Sequence, residues 1–153
     1  FLLGGLDDES RGYKKIAKQV DLVKSGIGTG MKVDGFRYNN GKGILSAISG
    51  SKEPINAILF SAGCNEADKV AQAMLDKGYS LNNLFLVEPY HSGGTATKAV
   101  RKAVQMGVPN KNVFVGTYKL AGLGIVENAT PTPKCSPSHW CALTEVGKII
   151  NTV

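Results

Sequence analysis

The segment from residue 55 to residue 76 constrains the fold of this chain more than any other. An apolar run over residues 55–60 ends at a corner of small residues with the sequence Ser61-Ala62-Gly63-Cys64. Apolar residues then recur at spacings of three and four, and they are Ala67, Val70, Ala71, Met74 and Leu75. A short apolar run followed by this periodicity predicts a buried strand that enters a helix through a sharp turn.

The same alternation of strand and helix patterns extends along the whole chain. We predict strands at residues 1–6, 31–38, 55–61, 83–88 and 112–117. We predict helices at residues 12–24, 43–48, 65–77, 95–106 and 142–151, and an irregular loop over residues 118–138. Strands that alternate with helices indicate an α/β fold, here a three-layer α/β/α sandwich with a mostly parallel sheet of about five strands.

Length and composition favour one ordinary globular domain over residues 1–153. The chain has 153 residues, of which 42% are hydrophobic and 20% are charged, and this size suits a single domain with its own core. It begins with Phe rather than Met, so we expect a processed product or a fragment of a longer protein. No apolar run approaches the roughly 20 residues of a membrane span.

The net charge of +6 predicts weak attraction to anionic surfaces. The basic residues are spread over the chain, and no nucleic-acid-binding motif accompanies them, so we expect no specific nucleic-acid partner.

Three cysteines bear on the redox environment. Cys135 and Cys141 lie six residues apart in a Pro-rich segment, and this spacing can close a small disulfide loop. Such a disulfide implies an oxidising compartment, so we expect a secreted or exported protein. A metal site formed by Cys135, His139 and Cys141 would have only three ligands at a spacing unlike common zinc modules, and we predict no metal site.

The small-residue corner at residues 61–64 is also a candidate for chemistry. In open α/β sheets, ligands bind at the carboxyl ends of the strands. A Ser or Cys side chain at such a corner has backbone N–H groups nearby that can stabilise an oxyanion. The alternative is that the small residues only allow the helix and the strand to pack closely.

The corner resembles the nucleophile elbow of the α/β hydrolases, which is a strand, Gly-x-Ser-x-Gly and a helix. Ser61-Ala62-Gly63 matches the second half of that pattern, whereas Leu59 replaces the first Gly. The resemblance implies a serine hydrolase that acts on a small-molecule or acyl substrate by acyl transfer, without a cofactor. It also implies that the FLLGG segment at residues 1–5 supplies part of the oxyanion site.

The resemblance carries over to particular residues. Ser61 corresponds to the nucleophile, and His139, in a loop before the last helix, corresponds to the general base. Glu127 corresponds to the acid, and Glu88 is a second possibility for it. The backbone N–H groups of Gly5 and Ala62 are the expected oxyanion donors.

Two other functions stay open from the sequence. The first is a cysteine-dependent glutamine deamidase or amidohydrolase that uses Cys64, His91 and Glu88, because a Cys at a helix start tends to have a lowered pKa. The ordinary role for Cys64 is that of a small buried apolar residue. The second is a non-catalytic binding domain in which residues 91–95, HSGGT, hold an anion at a helix N-terminus.

Overall fold

A computed structural model describes residues 1–51, 55–66, 81–87, 110–116, 129–131 and 140–151 of the chain. In this part of the chain, six strands form a single sheet. They are β1 (Leu2–Leu3), β2 (Gly35–Phe36), β3 (Asn56–Phe60), β4 (Leu81–Val87), β5 (Asn110–Gly116) and β6 (Ala129–Pro131). Every neighbouring pair is parallel, which confirms the prediction of an α/β fold with a parallel sheet.

The predicted bounds of three segments differ from the structure. The strand predicted at residues 31–38 pairs only over Gly35–Phe36. Gly28 and Gly30 have φ of 81° and 96°, so the chain turns there in a conformation that favours glycine and reaches the sheet late. The strand predicted at residues 1–6 pairs only over Leu2–Leu3. The predicted irregular loop contains β6, so the prediction is wrong for residues 129–131.

The strand order is β2-β1-β3-β4-β5-β6. The chain moves from β1 outward to β2 and then returns to the other side of β1, where β3 begins the rest of the sheet. The order therefore reverses between β1 and β3. In open parallel sheets, a crevice for ligands forms at the carboxyl ends of the strands at such a reversal.

Three α-helices lie in the described part of the chain. They are α1 (Ile16–Ile27), α2 (Gly41–Gly50) and α3 (Cys141–Ile150). The side chain of Asn40 caps α2, because its Oδ1 accepts a hydrogen bond of 3.0 Å from the N–H of Gly43. The predicted helices at 43–48 and 142–151 are confirmed, and their observed bounds are Gly41–Gly50 and Cys141–Ile150. The predicted helix at 95–106 lies outside the described residues, and so does the predicted helix at 65–77 apart from residues 65 and 66, which belong to a 3-10 helix.

Helix α1 begins four residues later than predicted. Gln19, Val23 and Ile27 are buried on its inner face, and Ile16 and Val20 are partly buried against the core cluster. Gln19 is the only polar or charged side chain that is buried in the described part of the chain.

The core covers both faces of the central strands. Successive residues of β3 and β4 point to opposite faces, and those of residues 57–60 and 85–87 are all buried. One face forms a cluster with α1 and α3, which includes Phe60, Phe85, Val23, Leu143 and Val146. Near-continuous apolar strands of this kind are typical of parallel sheets that are covered on both sides.

The described part of the chain also bears on the membrane prediction. None of its helices has the length and apolar character that a bilayer crossing requires.

Candidate functional site

Ser61 follows β3 directly and has an unusual backbone conformation. Its φ is 51°, and among the described residues it is the only one other than Gly with a positive φ. For an L-residue this conformation costs about 1–2 kcal/mol. Such strain persists only where the surrounding structure enforces it, and it concentrates at functional sites.

Close packing against β1 explains how the turn at Ser61 is held. Residues 61–66 form a short 3-10 helix, and residues 62–64 within it are buried. A Cβ atom on Gly63 would lie 2.6 Å from both Leu3 O and Gly4 O. The turn can therefore rest on the end of β1 only because residue 63 is Gly.

The loop that follows β1 lies beside Ser61. A Cβ atom on Gly5 would lie 3.0 Å from the Cβ of Ser61 and 3.1 Å from Cδ1 of Phe60. Gly5 and Ser61 are thus neighbours at the point where the strand order reverses. The structure brings together the predicted nucleophile and one of the two predicted oxyanion residues.

The N–H of Gly5 already has an acceptor. It donates a hydrogen bond of 2.9 Å to Oε1 of Gln19. The predicted role of Gly5 as an oxyanion donor therefore competes with this buried contact. Ala62, the other predicted donor, follows Ser61 directly and is 7% exposed.

Cys64 occupies the interior of the same corner. Its side chain is 2% exposed, and its thiol donates hydrogen bonds to Leu59 O at 3.0 Å and to Val87 O at 3.8 Å. It is not in a disulfide. Cys64 thus occupies the ordinary place of a small buried apolar residue.

Trp140 connects the N-terminus of α3 to the Ser61 corner. Its ring centroid lies 5.6 Å from that of Phe60, the residue before Ser61, at an interplanar angle of 49°. The Nζ of Lys14 lies 6.0 Å from the same ring centroid. Residues distant in sequence therefore converge beside the end of β3.

The cysteine pair and the charged candidates fall partly outside the described residues. Cys141 is disulfide-bonded, and its expected partner, Cys135, lies outside the described part. The same holds for the other predicted site residues, which are Glu88, His91, the 91–95 segment, Glu127 and His139. Within the described part, no group of three or more potential metal ligands occurs.

A cleft of about 530 Å³ lies at the carboxyl ends of β1 and β2. Leu6, Asp7 and Asp8 form one wall, and Arg37 and Tyr38 contribute to another. Nε and Nη2 of Arg37 donate to the two carboxylate oxygens of Asp7 at 2.6 and 3.0 Å. These hydrogen bonds, followed by the charge of Asp7, raise the pKa of Arg37. The loop that carries Gly5 therefore also borders a cleft large enough for a small molecule.

Sequence reasoning missed Gln19. A single Gln within an apolar helical pattern is a weak signal, because most such residues face solvent. The signal that could have found it is its register, since Gln19 lies four residues before Val23 and eight before Ile27, on the buried stripe of α1.

Comparisons of the chain with protein families, with curated protein sequences and with solved structures found no match.

Proposed function

We propose that this protein is a serine hydrolase that cleaves an ester or amide bond by acyl transfer. The observation that carries the proposal is the positive φ of Ser61 at the carboxyl end of β3. In a nucleophile elbow, a strained strand-to-helix turn exposes the serine Oγ at the edge of the sheet. Ser61 has this backbone strain, lies at the reversal of strand order and is half-buried.

In the proposed mechanism, Ser61 Oγ attacks the carbonyl carbon and His139 accepts the serine proton. His139 then donates that proton to the leaving group, and Glu127 or Glu88 holds the imidazole in the required tautomer. A water molecule then attacks the acyl group in the same way, with His139 as its base, which releases the acid and restores the hydroxyl of Ser61.

The contact between Phe60 and Trp140 supports His139 as the base. Phe60 precedes Ser61 and Trp140 follows His139, so each proposed catalytic residue is bonded to one member of the packed pair. The packing of Trp140 on Phe60 joins the start of α3 to the end of β3, and for this reason we propose the histidine of that segment as the base.

The geometry of Cys64 weighs against the deamidase alternative. A catalytic cysteine needs a thiolate and access for the substrate, whereas Cys64 is 2% exposed and its thiol donates to Leu59 O. Ser61, three residues earlier, is the more accessible of the two nucleophiles.

We also propose that helices cover both faces of the sheet, as a three-layer sandwich. Right-handed crossovers are the rule for parallel strands. The chain crosses from β1 to β2 in one direction through α1 and returns toward β3 through α2. With the same handedness, opposite directions of travel put α1 and α2 on opposite faces.

Labelling with a fluorophosphonate probe tests the proposed nucleophile. We expect the wild-type protein to be labelled once and the Ser61→Ala variant not at all, because an activated serine displaces fluoride from the probe and is phosphonylated. Intact-protein mass spectrometry gives the stoichiometry. Ser49→Ala is a matched control, since Ser49 is exposed on α2, and it should label like the wild type.

Two results would contradict the serine mechanism. One is labelling that persists in a folded Ser61→Ala variant. The other is inactivation of the native protein by iodoacetamide at Cys64, which would favour the cysteine-dependent alternative.

A further inference from the structure

Gln19 makes an unusually complete set of hydrogen bonds for a buried helical side chain. It is 0% exposed. Its Oε1 accepts from Gly5 N at 2.9 Å, and its Nε2 donates to Gly5 O at 3.3 Å and to Lys14 O at 2.9 Å. Burying an amide without partners is costly, so these three bonds explain how α1 can carry a polar residue in the core.

The two glycines after β1 make this arrangement possible. A side chain at Gly4 would overlap Oε1 of Gln19, whereas a Cβ on Gly5 would point at Ser61, 3.0 Å from its Cβ. Gly4 thus faces Gln19 and Gly5 faces Ser61. The loop is held between α1 on one side and the nucleophile corner on the other.

The hydrogen bonds of Gln19 also orient the next peptide group. The carbonyl of Gly5 and the N–H of Leu6 belong to one planar trans peptide, so they point in opposite directions. Because Gly5 O accepts from Gln19, the N–H of Leu6 points away from Gln19. The N–H groups of Gly4 and Gly5 donate to Phe36 O and to Gln19. In the described part of the chain, Leu6 N–H is the first after β1 without an acceptor.

We infer that Gln19 is a positioning residue that fixes the loop after β1 so that Leu6 N–H, rather than Gly5 N–H, joins Ala62 N–H in binding the oxyanion. This inference rests on the proposed hydrolase function. Gln19 acts through the backbone of Gly5 and does not touch the substrate. Its contribution is to hold a donor in place before the reaction, which is the property that makes oxyanion sites effective.

The Gln19→Met variant tests the inference, because Met has a similar length but cannot pair with the Gly5 backbone. Turnover of p-nitrophenyl acetate is measured per active site, with sites counted by the burst of p-nitrophenol from diethyl p-nitrophenyl phosphate. We expect kcat to fall by roughly 10²-fold, the order of losing one oxyanion donor, with KM changed less than about threefold.

The Val23→Ala variant controls for loss of stability. Val23 is also 0% exposed and lies one helical turn further along α1. We expect it to lower the stability of the fold while leaving kcat per titrated site close to that of the wild type.

The Gln19→Glu variant adds a readout that a purely structural role would not move. Its carboxylate faces two carbonyl oxygens, those of Gly5 and Lys14, and protonation restores one donor. We expect its kcat per titrated site, divided by that of the wild type, to rise as the pH falls.

These measurements distinguish a failure of the positioning role of Gln19 from a failure of the proposed hydrolase function. A Gln19→Met variant that keeps the wild-type kcat per site, or a Gln19→Glu ratio independent of pH, would overturn the positioning role and leave the hydrolase proposal standing. A wild-type protein with no Ser61-dependent turnover of the ester would overturn the proposed function, and this inference with it.

Discussion

Ser61 is the residue at which backbone strain and proposed chemistry coincide. A side chain at positive φ destabilises the folded state, so its presence at the end of β3 needs a compensating reason. The backbone at Gly63 packs closely against Leu3 O and Gly4 O. This packing holds the turn and so sets the orientation of residue 61. The turn therefore holds Ser61 at a φ of 51°.

The first prediction concerns this strain. We expect Ser61→Gly to be more stable than Ser61→Ala by about 1 kcal/mol, because Gly adopts a positive φ without the steric penalty that Ala retains. Both variants should lack fluorophosphonate labelling. Urea denaturation with equal m-values compares them, and a Ser61→Gly variant less stable than Ser61→Ala would show that the turn is not strained.

At the scale of elements, two glycines decide how α1 packs on α3. A side chain at Gly26 would overlap the carbonyl oxygen of Thr144, and one at Gly147 would overlap that of Val23. The two helix backbones are therefore in direct contact. This contact matters for the site, because α1 carries Gln19 and α3 begins beside Trp140, the residue that packs on Phe60.

We expect Gly26→Ala and Gly147→Ala each to destabilise the protein by about 1–3 kcal/mol, the usual cost of overpacking, since the backbone must move to admit a methyl group. Thermal or urea unfolding measures the change.

Gly50→Ala is the matched control for these two variants. Gly50 is the last residue of α2, and a Cβ there meets no atom within 4 Å. Ala should leave the stability unchanged or raise it by up to about 1 kcal/mol. Equal effects at all three positions would contradict the close packing of α1 on α3.

At the scale of the whole molecule, the parallel sheet collects distant segments at one edge. The loop after β1, the turn after β3 and the start of α3 meet around Gly5, Ser61 and Trp140. Parallel pairing puts the carboxyl ends of all six strands at this edge, which is where ligands bind in open α/β sheets.

The two histidines of the chain give a test at this scale. We expect His139→Ala to lose roughly 10³-fold or more in ester hydrolysis with little change in stability, because a catalytic base acts through the transition state. His91→Ala should retain most of the activity. Turnover per folded protein, with unfolding curves for both variants, makes the comparison, and the reverse pattern would transfer the role of base to His91.

Much of the fold follows from local pattern. The apolar run before Ser61 predicts β3 because a continuous stretch of that length has to be buried on both faces. The spacing of Leu143, Val146 and Ile150 predicts α3 and its buried face, and all three residues are buried. The small residues after β3 indicate a tight turn because only small side chains allow one.

The sequence alone determined the class of fold and the position of the small-residue corner after β3, since both depend on residues that are neighbours in the chain. Tertiary structure decided the strand order, the length of β1 and β2, the existence of β6 and the burial of Gln19. Each of these depends on which distant segments meet: β6 forms because Val113 has Ala129 as its partner, and Gln19 is buried because Gly5 offers it both a donor and an acceptor. Contacts between segments that are distant in the chain form only when it folds, so the pattern of neighbouring residues does not predict them.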